Sequence, residues 1–285
     1  MDATLHVIAQ VGILSGVFTA MLAMGMSTSF DQIVASLRNP RTLMMAMVAN
    51  FVAVPLFALL LTRVLPLTAD GRTALILLGA TAGAPFLPKL AALANGHVPF
   101  SIGLMVLLMV ATVVYAPLVL PLLLVDVTVS SGDIATSLIG MMLFPLGVGL
   151  LTRGRYPKVA SWSPELNRIS GAGMVFGLGA GLLIGWQDLL GAVGTWIFTG
   201  AALLALGAAA IGWVFASGAE PGERRVASIG TAMRNFSAAL LVAGRDFGPE
   251  TLVMTMAATI MLMVVMVITA GEMGRYGGDR VTGHG

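Results

Sequence analysis

The chain has 285 residues, 58% of them hydrophobic and 10% charged, with a formal net charge of +2. Globular domains carry about 25% charged residues, so a soluble domain is excluded, and a charge this small and scattered excludes a nucleic-acid partner. No cysteine is present, which removes disulfides, thiolate metal sites and cysteine nucleophiles.

The apolar residues come in runs of about 20, the length that crosses a hydrocarbon core as a helix. The 35 glycines and 19 methionines suit closely packed membrane helices. Nine spans are expected in chain order: about Leu5–Phe30, Thr42–Leu65, Thr73–Ala94, Val98–Val125, Ile134–Leu151, Leu166–Trp186, Leu189–Ala216, Val226–Gly244 and Thr251–Glu272. No basic segment precedes Leu5, so the first run is expected as a mature helix and not a cleaved signal.

Arginine and lysine alternate across these spans. The odd-to-even connections and the tail carry Arg38, Arg41, Arg153, Arg155, Lys158, Arg168, Arg224, Arg225, Arg275 and Arg280, whereas the other side carries Arg63, Arg72 and Arg245. Ten against three predicts an outside N-terminus and a cytoplasmic tail over 273–285, in a multi-pass protein of the inner (plasma) membrane. All thirteen acidic residues fall in loops, termini or span ends. The deep ionisable groups, Lys89 and Arg234, are both cationic, and that balance favours an anion over a cation.

Two spans are interrupted. The third contains Pro85 and Pro88, followed at once by Lys89. The eighth holds Arg234 beside Asn235, with Gly230 and Thr231 just before. An arginine at bilayer depth costs roughly 3 kcal/mol and persists where something compensates it. Each interrupted span is the middle of a trio (spans 2–4 and 7–9), and the trios begin on opposite sides. That is the pattern of an inverted repeat whose broken helices cross at the midplane of a transporter. The residues are open to blander readings. Arg234 ties the break to carbonyls or meets substrate. Lys89 lines the site or snorkels outward. Asn235 and Thr231 cap helices or bind. Asn50, a mid-span amide, joins helices or contributes to the site. The three histidines show no metal-ligand spacing, and no metal site or cofactor is expected.

Together these segments resemble the bile acid:sodium symporter family. The similarity is carried by Gly25–Gln32 (GMSTSFDQ), Arg38–Arg41 (RNPR), Asn95–Ser101 (NGHVPFS) and Ala232–Asn235 (AMRN), in order along most of the chain. The resemblance implies an all-α fold in its nine-helix form. It would have a core domain (about 41–125 and 189–272) holding the two broken helices, a panel domain (about 5–30 and 133–186), and a substrate between them. It also implies secondary transport by alternating access of small organic anions, among them sterol-like acids, keto acids and pantoate-like acids.

The sodium positions of that family are altered here. Gly230 and Arg234 stand where a glutamate and a glutamine are expected, and Leu87–Pro88 stands for a Ser-Asn pair. Asn50 replaces a glutamine and Met105 a threonine, while Ser101 is kept. The expectation is therefore an organic-anion (carboxylate) transporter without the family's sodium coupling, in which Lys89 and Arg234 stand in for the two ions. Coupling would then be absent or use a proton on Lys89. A sodium-coupled symporter relying on Ser101 and Asn50, and a non-transporting receptor of the same fold, are the alternatives. No set of residues for an intramembrane enzyme is present. Oligomeric state is left open, and the lipid bilayer is the expected surrounding.

Overall fold

In the computed structural model, every regular element among the described residues (2–36, 39–124, 130–184 and 190–278) is a helix. They are α1 (Asp2–Ser27), α2 (Phe30–Ser36), α3 (Pro40–Val48), α4 (Val54–Val64), α5 (Ala69–Ala80), α6 (Leu87–Leu93), α7 (Val98–Leu123) and α8 (Ser131–Leu138). The second half has α9 (Phe144–Arg155), α10 (Pro157–Ala160), α11 (Ser163–Ile184), α12 (Ile197–Phe215), α13 (Pro221–Ala232), α14 (Phe236–Asp246) and α15 (Pro249–Gly278). Among the described residues, six stretches are long and apolar enough to cross a membrane: Pro40–Val64, Val98–Leu123, Ser131–Arg155, Ile197–Phe215, Pro221–Asp246 and Pro249–Arg275. The other three expected spans correspond to α1, α11 and the broken pair α5–α6.

Two of the continuous spans are joined through a wide π turn. Ala49–Ala53 links α3 to α4, and Ile139–Leu143 links α8 to α9. In each case a proline, Pro55 or Pro145, follows two residues on. Proline lacks an N–H, and its ring meets the carbonyl four residues back, so a locally widened helix relieves the clash while keeping the span intact.

The ends of the helices converge by sequence region. At one end Asn39 donates to Glu223 (2.7 Å), Arg225 to the Asn95 carbonyl (2.9 Å) and Asn95 to the Gly274 carbonyl (2.9 Å). At the other, Thr251 donates to Asp70 (2.6 Å) and the Thr195 hydroxyl meets Met254 Sδ. Arg41, Arg224, Arg225 and Arg275 thus gather at one end of the bundle. The RNPR motif's Arg38 and the 279–285 part of the expected tail lie outside the described residues, as do Val125, Trp186, Leu189 and Arg280. The remainder of that tail is helical, because α15 runs on to Gly278.

Helix α1 packs lengthwise on α11 and α9. Gly25 and Gly149 face each other there, each pressed against the other helix's backbone (Leu146 O and Leu22 O), so a side chain at either would force α1 and α9 apart. The interior of α13–α14 differs from the other five long apolar stretches. Its most apolar 18 residues are 100% buried, against 33–56% in those five, so the costly arginine is ringed by protein and not by lipid.

Candidate functional site: the meeting of two helix breaks

The first break runs from Thr81 to Phe86, between α5 and α6. Gly83 takes φ +82° and sits against the backbone of Leu108 and Met109, where a Cβ would collide. Pro85 lies inside the break. Pro88 instead occupies the first turn of α6, where its missing N–H costs nothing, so it starts a helix and does not break one. The extended segment is fixed to α7 by Thr112, whose hydroxyl accepts from Ala82 N (3.0 Å) and donates to Ala82 O (3.1 Å).

The second break is shorter: Met233, Arg234 and Asn235, between α13 and α14. Gly230, expected at the break, lies within α13, where it packs against Leu87 and Leu104. The two breaks touch directly, since Asn235 N donates to Thr81 O at 3.0 Å.

Arg234 is wholly buried and is the largest such side chain. It donates from Nε to Leu78 O (2.9 Å), from Nη2 to Gly79 O (2.7 Å), and from Nη1 to Thr231 O (2.9 Å) and Asn50 Oδ1 (2.7 Å). Leu78 and Gly79 belong to the last turn of α5 and Thr231 to the last turn of α13. Helix C-termini carry about half a negative charge each. Two of them therefore present roughly one, and a single guanidinium matches it with directed donors. Asn50, presented by the π turn, also donates to Thr231 Oγ1 (3.1 Å) and Ala46 O (2.9 Å), which fixes its oxygen toward the arginine. Tyr115, tilted against Phe51 with ring centroids 4.9 Å apart, packs against the core beside this cluster.

Asn235 is the N-cap of α14. Its Oδ1 accepts from Ala238 N (3.1 Å), while its Nδ2 is fully buried with no hydrogen-bond partner. A buried amide donor left unpaired costs about 1–3 kcal/mol. It sits at the positive end of a helix, with the neighbouring arginine committed to carbonyls.

The structure thus brings Arg234, Thr231, Asn50 and Asn235 together. It does not bring Lys89 to the freed carbonyls. Lys89 is exposed, with Nζ 5.3 Å from the Phe86 ring centroid, and Phe86 in turn packs at a tilt against Phe236, centroids 5.7 Å apart. Ser101 is buried and donates to Val98 O (2.6 Å) near the start of α7. Sequence reasoning missed Thr112 and Gly83. A lone hydroxyl in the middle of α7, and a glycine two residues before Pro85, were the signals available. Among the described residues no three His, Cys, Asp or Glu side chains cluster as metal ligands.

Residues 14–191 match the model of the Sodium Bile acid symporter family. Over 248 residues (86% of this chain, 59% of the relative) the sequence is 25% identical to a protein of Oryza sativa subsp. japonica named probable sodium/metabolite cotransporter BASS2, chloroplastic. Over 254 residues (86% and 58%) it is 26% identical to the Arabidopsis thaliana protein named probable sodium/metabolite cotransporter BASS3, chloroplastic. The chain spans under two thirds of the length of either relative. With more than half of its length matched by the family model, the chain belongs to the sodium bile acid symporter family, a family of transporters and not of enzymes.

Proposed function

We propose that this chain is a secondary transporter of small organic anions in which Arg234 takes the place of a coupling cation. One observation carries the reading: the guanidinium is bonded to carbonyls at the C-terminal ends of two half-helices and to an amide oxygen, all neutral oxygens of the kind a bound cation would use. Lys89, exposed over Phe86, is left out of this role. The substrate carboxylate is assigned to the unpaired Asn235 Nδ2 and the N-terminal end of α14. The finer architecture belongs to the same reading. It comprises nine crossings, an inverted repeat, a core of α3–α7 and α12–α15, and a panel of α1, α8, α9 and α11 that rocks against it. The basic end would face the cytoplasm. The packing of α1 on both α9 and α11 and the contact between the two breaks support it.

The relatives' printed names favour a second reading, in which sodium still drives the cycle. Uptake of radiolabelled monocarboxylates into liposomes containing the purified protein separates the two. The first expects the same rate in sodium and in choline buffer. Uptake that disappears in choline overturns it.

A further inference from the structure

The basic end of the bundle holds a polar groove away from both breaks. A groove of about 250 Å³ lies between the first turns of α3 and the end of α12, lined by Arg41, Thr42 and Met45 on one side and by Val214, Phe215 and Ser217 on the other. Arg41 is exposed and lies against Gly218. It has no acidic partner: the ion pair found among the described residues is Arg275–Glu272, and the nearby Glu223 accepts from Asn39. The groove is polar at Arg41 and Ser217 and becomes apolar toward Met45, Val214 and Phe215. At Trp213, on the last turn of α12, Arg224 from the first turn of α13 lies 4.1 Å over the ring and donates to the Trp213 carbonyl (3.0 Å). Tryptophan and arginine side by side on an exposed span end mark the level of the lipid headgroups.

We propose that this groove binds the phosphate of an anionic phospholipid. Arg41 would grip the phosphodiester with its fork of donors and Ser217 would supply a hydroxyl. The apolar wall would carry the start of an acyl chain back into the bilayer. The volume suits a head and its first carbons. The gradient from cation to apolar side chains favours a lipid over free phosphate, because a soluble ion gains nothing from Met45 and Phe215. Basic pockets between membrane helices recognise such heads. A lipid seated there would bridge α3 to α12.

The test compares thermal unfolding of the purified protein in nanodiscs of phosphatidylcholine alone and of phosphatidylcholine mixed with phosphatidylglycerol. Phosphatidylglycerol is expected to raise Tm by a few degrees through mass action. Arg41→Gln and, independently, Ser217→Glu are expected to abolish the shift, while Arg63→Gln at the opposite end keeps it. The proposal is overturned if Arg41→Gln responds like the parent, or if Arg63→Gln loses the shift equally. It is also overturned if the parent shows no shift, or if inorganic phosphate added to phosphatidylcholine discs reproduces it.

Discussion

The two helix breaks meet at one hydrogen bond but are built from different materials. The α5–α6 break is six residues of backbone chemistry: a left-handed glycine, a proline, and a threonine on a neighbouring helix that satisfies the exposed amide. The α13–α14 break is three residues with neither glycine nor proline, held by side chains. Arg234 closes the carbonyl ends and Asn235 caps the new helix. One break follows from what the backbone can do. The other exists because a charged side chain supplies what the broken hydrogen bonds have lost. The second break rests chiefly on Arg234, which also secures the α5 end of the first, through Leu78 and Gly79.

That asymmetry sets the order of effects. Arg234→Ala has the largest. It strips the donors from the Gly79 and Thr231 carbonyls and the Asn50 amide oxygen, each worth about 1–3 kcal/mol when left unpaired, and leaves Leu78 O only its longer contacts from Thr81. Loss of a monodisperse, cooperatively melting protein in detergent is expected, with Arg234→Lys only partly restored, because an ammonium cannot reproduce the planar fork. An Arg234→Ala protein that melts like the parent would show that the second break does not rest on its side chain. Gly83→Ala comes next. A non-glycine residue at φ +82° and a Cβ against the Met109 backbone cost about 1–3 kcal/mol, so Tm falls while any response to sodium stays as in the parent. The smallest stability effect belongs to Asn235→Ser. Serine caps helices as well as asparagine does, so stability changes by less than about 1 kcal/mol. The Nδ2 donor is gone, however, and carboxylate affinity measured by calorimetry should fall about tenfold, or about 1.4 kcal/mol. Unchanged affinity would remove Asn235 from the substrate site.

Different parts of this were legible in the sequence for physical reasons. Arg234 was conspicuous because charge at bilayer depth is costly wherever it occurs. Pro85 was equally plain, since a missing N–H is a property of the residue alone. The acceptors of Arg234 were not, because Leu78, Gly79 and Thr231 act through carbonyls that every residue possesses. Lys89 and Arg234 carry equal weight on paper. What separates them is the rotation of a seven-residue helix, which turns Lys89 outward onto Phe86. Gly230 and Pro88 look like breakers, yet both sit inside helices. A glycine without a positive φ and a proline in a first turn break nothing. The family itself was readable from the ordered segments, and it matched over residues 14–191.

The bonding of Arg234 has an electrical consequence. A sodium ion enters and leaves with each cycle, so its charge offsets that of a carried anion. A guanidinium fixed to the chain crosses nothing. On the proposed reading, each monoanion moved is then one uncompensated charge. A membrane potential pulls it toward the positive side by roughly 2.3 kcal/mol per 100 mV. That is a gradient of about fiftyfold at equilibrium. Reconstituted vesicles should therefore show a current that reverses with the potential.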